Sequence, residues 1–383
     1  MWRHIASNAL SLFVVILVVI GGLVAWGKAQ YSTPGPLAEA ICLRVPSGAR
    51  MSEVSEDLET RGAISNGSIF RVGTDYSGKN AQLKAGSFLV PQAASMVEIV
   101  DLITRGGANT CGTEVVYRIG INRVDLQVRE LDPVTNRFVD VVSFDPMVET
   151  SEQYTKVRGE ADTRYRITLA EGTTSWQIMQ ALQAADFIDA DTNSIPAEGD
   201  LAPDSYEVSA GASLADLIAD MEQAQSIRLD QAWANRAEGL PIASREDALI
   251  LASIVEKETG LPNERAQVAS VFINRLNKGM KLQTDPTVIY GVTNGRGVLG
   301  RGLRQSELRK ATPYNTYIIA GLPPGPIANP GIEAITATLN PATTDYIFFV
   351  ANGTGGHAFA TTLKQHNINV TAWRKIEASQ SGN

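Results

Sequence analysis

The sequence predicts an α+β fold with an N-terminal transmembrane helix, a duplicated strand-and-helix region carrying a β insertion, and a C-terminal α+β domain. Three observations predict it. An uncharged apolar run, Leu10 to Trp26, opens the chain. A strand–turn–helix pattern recurs about 120 residues after its first appearance, the mark of a duplicated module rather than a solenoid. From about Ile227 the pattern changes to longer helices and a final strand pair. The expected segments are 1–30, 31–110, 111–165, 166–226 and 227–383.

The first segment sets the expected location. No acidic or basic residue lies between His4 and Lys28, and the Val-, Ile- and Leu-rich core spans a bilayer once its flanks are counted. Arg3 and the α-amino group precede the run, which favours a cytoplasmic N-terminus. The competing reading is a cleaved signal peptide, but Lys28 spoils Gly27-Lys28-Ala29 as a small-x-small cleavage site. The expectation is a single-pass anchor in the cytoplasmic (inner) membrane, with everything after about Gln30 outside the cytoplasm. Ser32-Thr33-Pro34-Gly35-Pro36 reads as a linker.

Ile41 to Val45, followed by a Pro46-Ser47-Gly48 turn, reads as a strand, and Met51 to Arg61 as an amphipathic helix. Arg166 to Gly172 repeats the strand and turn, and Ser175 to Ala185 repeats the helix. Lys84 to Val90 precedes a helix over Ser95 to Thr104; its counterpart is Pro203 to Val208 before a helix over Ser213 to Glu222. Each copy is expected to run strand–helix–helix–strand–helix, with a short second helix. Between the copies, Val115 to Ile119, Val124 to Val128 and Phe138 to Val142 alternate as strands, with turns at Asp132-Pro133 and Thr135-Asn136.

In the last segment a helix through Trp233 leads to Leu249 to Gly260. Pro262-Asn263 then starts a helix over Glu264 to Lys278. A polar, Gly-rich stretch from Lys281 to Arg304 and Pro-rich turns at Gly321 to Pro330 follow. Tyr346 to Val350 is a strong strand, joined through Asn352 to Gly356 to a shorter strand at His357 to Phe359; a hairpin suits this glycine run better than a phosphate loop. A final amphipathic helix begins near Thr361.

Composition narrows the function. The chain has 383 residues, 44% hydrophobic and 19% charged, with a net charge of −8 and no long basic run. That is globular and gives no nucleic-acid footprint. Three histidines without His-x-x-x-His spacing, and no close cysteine pair, give no metal site, and no cofactor is expected. Gly73 to Asn80 nearly matches a phosphate loop, but Asn80 stands where Ser or Thr would bind magnesium, and no long buried strand precedes it. Cys42 and Cys111 are read as two unrelated thiols in preference to a disulfide.

Chemistry points to Leu-Ile-Leu-Ala-Ser-Ile-Val-Glu-Lys-Glu-Thr-Gly, residues 249–260. A helix apolar nearly all round is a buried helix. Glu256 and Glu258 project among its apolar side chains, and a desolvated carboxyl tends to keep its proton at neutral pH, as a general acid requires. The residues alone leave open a solvated Glu-Lys-Glu helix end. Ser253 stands one turn before Lys257, where a surface pair is favoured over a Ser–Lys dyad. Gln283, Asp285, Tyr290, Tyr314, Asn315 and Tyr317 mix amides, hydroxyls and rings beside the rigid Gly321 to Ile327. Sugar sites use such a set, and these segments read together as one wall of a cleft.

These residues carry a family resemblance. Ala252 to Thr259, Val268 to Leu276, Leu282 to Gly291, Tyr314 to Tyr317, Gly321 to Ile327, Gly355 to Phe359 and His366-Asn367 resemble, in order, the signatures of the YceG-like family of endolytic murein transglycosylases. The resemblance covers the anchor and about Ser244 to Val370. It implies a membrane-anchored lyase with its catalytic part in the periplasm, which cleaves the MurNAc–GlcNAc β-1,4 bond of peptidoglycan without water and leaves 1,6-anhydro-MurNAc ends. It singles out Glu256 as the catalytic residue. It also implies that the duplicated segments are LysM-like and help to position glycan. Expected substrate-binding residues are Glu258, Asn274, Gln283, Asp285, Tyr290, Tyr314, Asn315, Tyr317 and His357; Asn274 would otherwise orient a loop or a carboxylate. Expected partners are glycan strands and peptidoglycan synthases or elongation and division proteins. The rival reading is a non-catalytic, membrane-anchored glycan-binding scaffold that recruits cell-wall synthases. Three features depart from the family pattern: the long 111–165 insertion, Gln365 before His366-Asn367, and Ala202 where an aromatic precedes Pro203-Asp204.

Overall fold

The computed structural model describes residues 2–46, 48–105, 110–160 and 163–381; Ser47 of the expected turn lies outside them. The architecture is mixed α+β. The chain divides into two compact units: Met1–Val115, Gln127–Phe144 and Thr150–Arg164 form one, and Val116–Leu126, Asp145–Glu149 and Tyr165–Asn383 form the other.

The first unit opens with helix α1 (Trp2–Ser32). Residues 12–32 have a mean hydropathy of 2.3, long and apolar enough to cross a membrane. Leu12, Val18, Leu23 and Val24 lie largely exposed, which a lipid environment would favour over water. Then come β1 (Ile41–Val45), α2 (Met51–Thr60), α3 (Gly67–Tyr76), β2 (Gly86–Val90) and α4 (Met96–Arg105). β1 and β2 pair antiparallel with Leu43 opposite Phe88. Leu43, Leu58, Phe70, Val90, Ile99 and Ile103 fill a core beneath them. Asn66 starts α3 by accepting the Ile69 N–H at 3.0 Å. The segment that mimics a phosphate loop is the end of α3: a Cβ on Gly73 would stand 2.3 Å from the Tyr31 ring, so that glycine serves close helix packing.

One expectation is corrected here. Cys42 and Cys111 form a disulfide, with Cα atoms 5.8 Å apart across 69 residues of sequence. Spacing alone hid it, because β1 and the chain beyond α4 meet only after the strand pair forms. The insertion supplies β3 (Thr113–Ile119), β4 (Val124–Asp132) and β5 (Arg137–Phe144), in the order β5-β4-β3, and a helix the alternation did not predict, α5 (Glu152–Val157).

The second unit continues with β6 (Arg164–Leu169), α6 (Ser175–Ala184), β7 (Ile188–Asp189), β8 (Ser205–Val208), β9 (Ala212–Ser213) and α7 (Leu214–Ala234). β6 and β8 pair antiparallel with Ile167 opposite Tyr206, the same pairing sense as β1 with β2. Residues 185–204 hold no helix, so the expected second helix of this copy is absent there. α7 runs unbroken through the boundary expected at 226/227. Ala202 is fully buried and takes no part in a surface.

Next come α8 (Arg245–Glu258), α9 (Pro262–Asn277), α10 (Asp285–Thr293), α11 (Gln305–Leu308), α12 (Ile332–Leu339), β10 (Phe348–Ala351), β11 (His357–Ala360) and α13 (Leu363–Ser381). α8 is central and packs on α12, α9, α7 and α10. Leu251, Ala252, Ile254 and Val255 meet Val268, Phe272, Ile335 and Leu339 in one core. β10 and β11 form the expected antiparallel hairpin across the glycine loop. α10 and α12 are not among the sequence expectations. α10 lies within the stretch read as polar and Gly-rich, yet Asp285-Pro286 starts it and left-handed Asn294 ends it.

Candidate active site

The site is built on the exit of α8 from the core. Ser244 caps the helix by accepting the Asp247 N–H at 3.1 Å. Ala248 through Val255 are all buried, so apolar contact surrounds the helix as its sequence predicted. Exposed Arg245 and Glu246 mark the first turn, and the last turn emerges from the core with Glu256, Lys257 and Glu258 partly buried. Each has a partner from a distant segment, which rules out the solvated-triplet reading.

Glu256 Oε2 accepts the backbone N–H of Gly331 at 3.0 Å, at the cap position of α12. Burial pushes the Glu256 carboxyl above its ordinary pKa, and the negative charge of Glu171 pushes the same way. The Gly331 hydrogen bond, Arg265 and Lys257 oppose this without cancelling it. Glu256 therefore favours its protonated form more than a free glutamate does. Lys257 reaches the other way: its Nζ donates to Gly172 O at 3.1 Å. Burial lowers the Lys257 pKa, while Glu256 and Glu198 raise it.

Glu258 accepts the hydroxyl of buried Thr284, just before α10. Its pKa is raised by burial against that hydrogen bond. Glu258 also feels Asp285, His357 and Arg275. Tyr317 donates its hydroxyl to Asp285 Oδ1 at 2.7 Å. Four expected residues, Glu258, Asp285, Tyr317 and His357, thus gather on one side of the helix end. Tyr290 and Tyr314 gather elsewhere, with ring centroids 4.8 Å apart. Between them and Lys257 sits Glu198, which the sequence reading missed. It accepts the Ser175 N–H at 2.8 Å and the Tyr290 hydroxyl at 3.1 Å, and burial raises its pKa.

One expected glycan contact, Asn315, is corrected, and a second, half-buried Asn274, spends its Nδ2 on the protein itself. Asn315 is fully buried, and its Nδ2 donates to the carbonyls of Glu307, Leu308 and Lys310. Asn274 donates through Nδ2 to Thr344 O at 2.8 Å and Tyr346 O at 2.9 Å. Both amides hold loops in place, and Asn274 matches the loop-orienting alternative. Gln283 is exposed with a left-handed φ of 50°, and its backbone N–H donates to Thr316 O. His357 is pinned by Glu264, Nδ1 to Oε2 at 2.9 Å, and lies edge-on to Phe349. The Ser253–Lys257 pair is neither a dyad nor a surface pair. Ser253 is fully buried; it donates to Ile250 O and accepts the Ile327 N–H. Among the described residues no three His, Cys, Asp or Glu side chains converge as a metal site.

Glu171 and Arg265 also escaped the sequence reading. Arg265 is buried, pairs with Glu333, and brings Nη2 to 3.9 Å from Glu171 Oε2. The only signal for Glu171 was its place in the repeated strand-and-turn, which reads as turn chemistry.

Comparison with known proteins identifies the family of the chain. A Bacillus subtilis (strain 168) protein named endolytic murein transglycosylase is 28% identical over 359 residues, covering 91% of this chain and 89% of that one. A Streptococcus pneumoniae (strain D39) protein of the same name is 25% identical, covering 86% of this chain and 58% of its own length. A crystal structure of a yceG-like protein from Listeria monocytogenes shares 25% identity over 86% of this chain, with a TM-score of 0.47. The model of the YceG-like family matches residues 143–372, a span that contains α8 and every site residue described above, and the chain belongs to that family.

Proposed function

We propose that this protein is an endolytic peptidoglycan transglycosylase, a lyase that cuts the MurNAc–GlcNAc β-1,4 bond of glycan strands and leaves 1,6-anhydro-MurNAc ends. The observation that carries the proposal is the state of Glu256: a carboxyl at the mouth of a buried helix, biased toward its proton and aimed by one backbone N–H. Two related proteins named endolytic murein transglycosylase supply the substrate class.

In the proposed reaction Glu256 gives its proton to the glycosidic oxygen as the bond from that oxygen to C1 of MurNAc breaks. The C6 hydroxyl of the same sugar attacks C1, and its proton passes to the Glu256 carboxylate. Glu256 ends protonated, as it began, and no water is consumed. One carboxyl suffices because the nucleophile is tethered within the substrate. The paired carboxyls of glycoside hydrolases are not required. Glu258, Asp285, Tyr317 and His357 on one side, and Tyr290 and Tyr314 on the other, are the proposed glycan contacts. The duplicated segments are proposed as LysM-like modules that position the strand. Peptidoglycan synthases are the proposed protein partners.

The proposed topology puts the N-terminus in the cytoplasm and the rest outside the membrane. The Cys42–Cys111 disulfide supports it, since such bonds persist in oxidising compartments.

The test treats purified peptidoglycan with the wild-type chain and with Glu256→Gln, and resolves the muropeptides by mass. The expected result is anhydro ends with the wild type and none above background with the variant. Anhydro ends undiminished in the variant would overturn the assignment.

A further inference from the structure

We infer that Glu171, on the turn after β6, is a positioning residue for Glu256: it packs on the same glycine that hydrogen-bonds Glu256 and sets a second negative charge beside it. This rests on the reading of Glu256 as the general acid. Gly331 has φ −74°, a backbone conformation any residue adopts, so conformation does not call for glycine there. Close approach does. A Cβ on Gly331 would lie 1.7 Å from Glu171 Oε1 and 2.2 Å from its Cδ. The N–H of the same residue points at Glu256 Oε2. The two carboxyl groups therefore share Gly331, one against its N–H and one against its Cα.

The turn that carries Glu171 is firmly tied. Gly172 N–H donates to Asn329 O at 2.9 Å, and Asn329 N–H donates back to Thr173 O at 3.0 Å. Asn329 Nδ2 adds a second bond to Thr173 O. Gly172 takes a left-handed φ of 76°, and its carbonyl holds Lys257. Glu171 thus belongs to the site's framework, and the second copy of the repeat helps to build the site.

The charges around Glu256 show what Glu171 does there. Glu256 faces Glu171, Arg265 and Lys257. Arg265 is engaged by Glu333 and stands 3.9 Å from Glu171. Lys257 is shared with Glu198. Both cations are divided between acids, so the charge of Glu171 is not cancelled. Repulsion between like charges favours the proton on Glu256 before bond cleavage. After the proton has left, the same repulsion makes Glu256 a stronger base toward the C6 hydroxyl. The first half gains a larger protonated fraction of Glu256 at neutral pH, and the second half gains a stronger base.

The experiment follows the initial rate of anhydro-end formation against pH with the full chain in detergent and purified glycan strands. The wild-type rate falls on the alkaline side as the general acid loses its proton. Glu171→Gln is expected to move that limb toward acid by about 0.5–1 pH unit, and Glu171→Asp, which keeps the charge, by less. Gly331→Ala, which displaces the carboxylate, should move it the same way. Since the displaced group is the end of a flexible side chain, that variant is expected to fold, as a melting curve will report. A limb that stays in place in Glu171→Gln, with the rate unchanged or uniformly lower, would overturn the inference. Glu256→Gln separates the two failures. If it is inactive while Glu171→Gln leaves the limb in place, only the role of Glu171 falls; if it is fully active, the reading of Glu256 falls.

Discussion

Replacing Ser253 by Ala tests how the site is held together. The Ser253 hydroxyl is fully buried, donates to Ile250 O at 2.7 Å and accepts the Ile327 N–H at 3.0 Å. The substitution leaves the Ile327 N–H without its partner, and Ile327 is itself only 2% exposed. An unsatisfied buried donor costs about 1–3 kcal/mol. Removing one oxygen leaves a cavity too small to add more than about 1 kcal/mol. The expected loss is therefore about 2 kcal/mol, centred on the segment that leads to Asn329 and Gly331. Hydrogen–deuterium exchange read by mass spectrometry will locate it. Where local opening governs exchange, about 2 kcal/mol corresponds to roughly 30-fold faster exchange of the Ile327 amide. Activity should fall in part, because the loop that presents Gly331 to Glu256 is loosened. Unchanged protection at Ile327 in a folded variant would refute the hydrogen bond. Complete loss of activity with protection intact would restore Ser253 as a chemical participant.

Two further predictions follow from burial and from chain topology. Glu198, Glu256 and Glu258 all have raised pKa values, so their contribution to stability is fully present below the unfolded-chain value of 4.5 and is lost as pH rises through the raised folded values. Glu256→Gln should therefore melt higher than the wild type at neutral pH and lose that advantage on acidification; melting curves that coincide at every pH would contradict this. The disulfide closes 69 residues, which by chain entropy contributes up to about 4 kcal/mol to the first unit. Reduction should lower that unit's denaturation midpoint, and equal midpoints for the reduced and oxidised chains would count against it.

What the sequence disclosed follows the range of each interaction. α8 was legible because eight consecutive buried residues write their environment into local composition. The hairpin of β10 and β11 was legible because its glycine loop and both strands are contiguous. Glu256 could not be told from Glu258 on a helical wheel, since what separates them are Gly331 and Thr284, on different loops. The family resemblance made that choice. Glu171, Glu198 and Arg265 were invisible because their charges matter only once turns far apart in sequence meet α8. Asn315 shows the converse: an amide suited to a sugar hydroxyl is equally suited to a loop carbonyl, and only burial decides. α10 is masked in the sequence because Gly291 lies within it and Gly295 and Gly297 follow it, although Asp285-Pro286 is a recognisable helix start.

The central claim is that Glu256 directs cleavage through the substrate's own hydroxyl and not through water. Carrying out the reaction in oxygen-18 water and weighing the new MurNAc ends tests it most directly. The account predicts ends that lack the elements of one water, carry no oxygen-18, and disappear with Glu256→Gln. Reducing ends that carry one oxygen-18 atom would contradict it and make the enzyme a hydrolase.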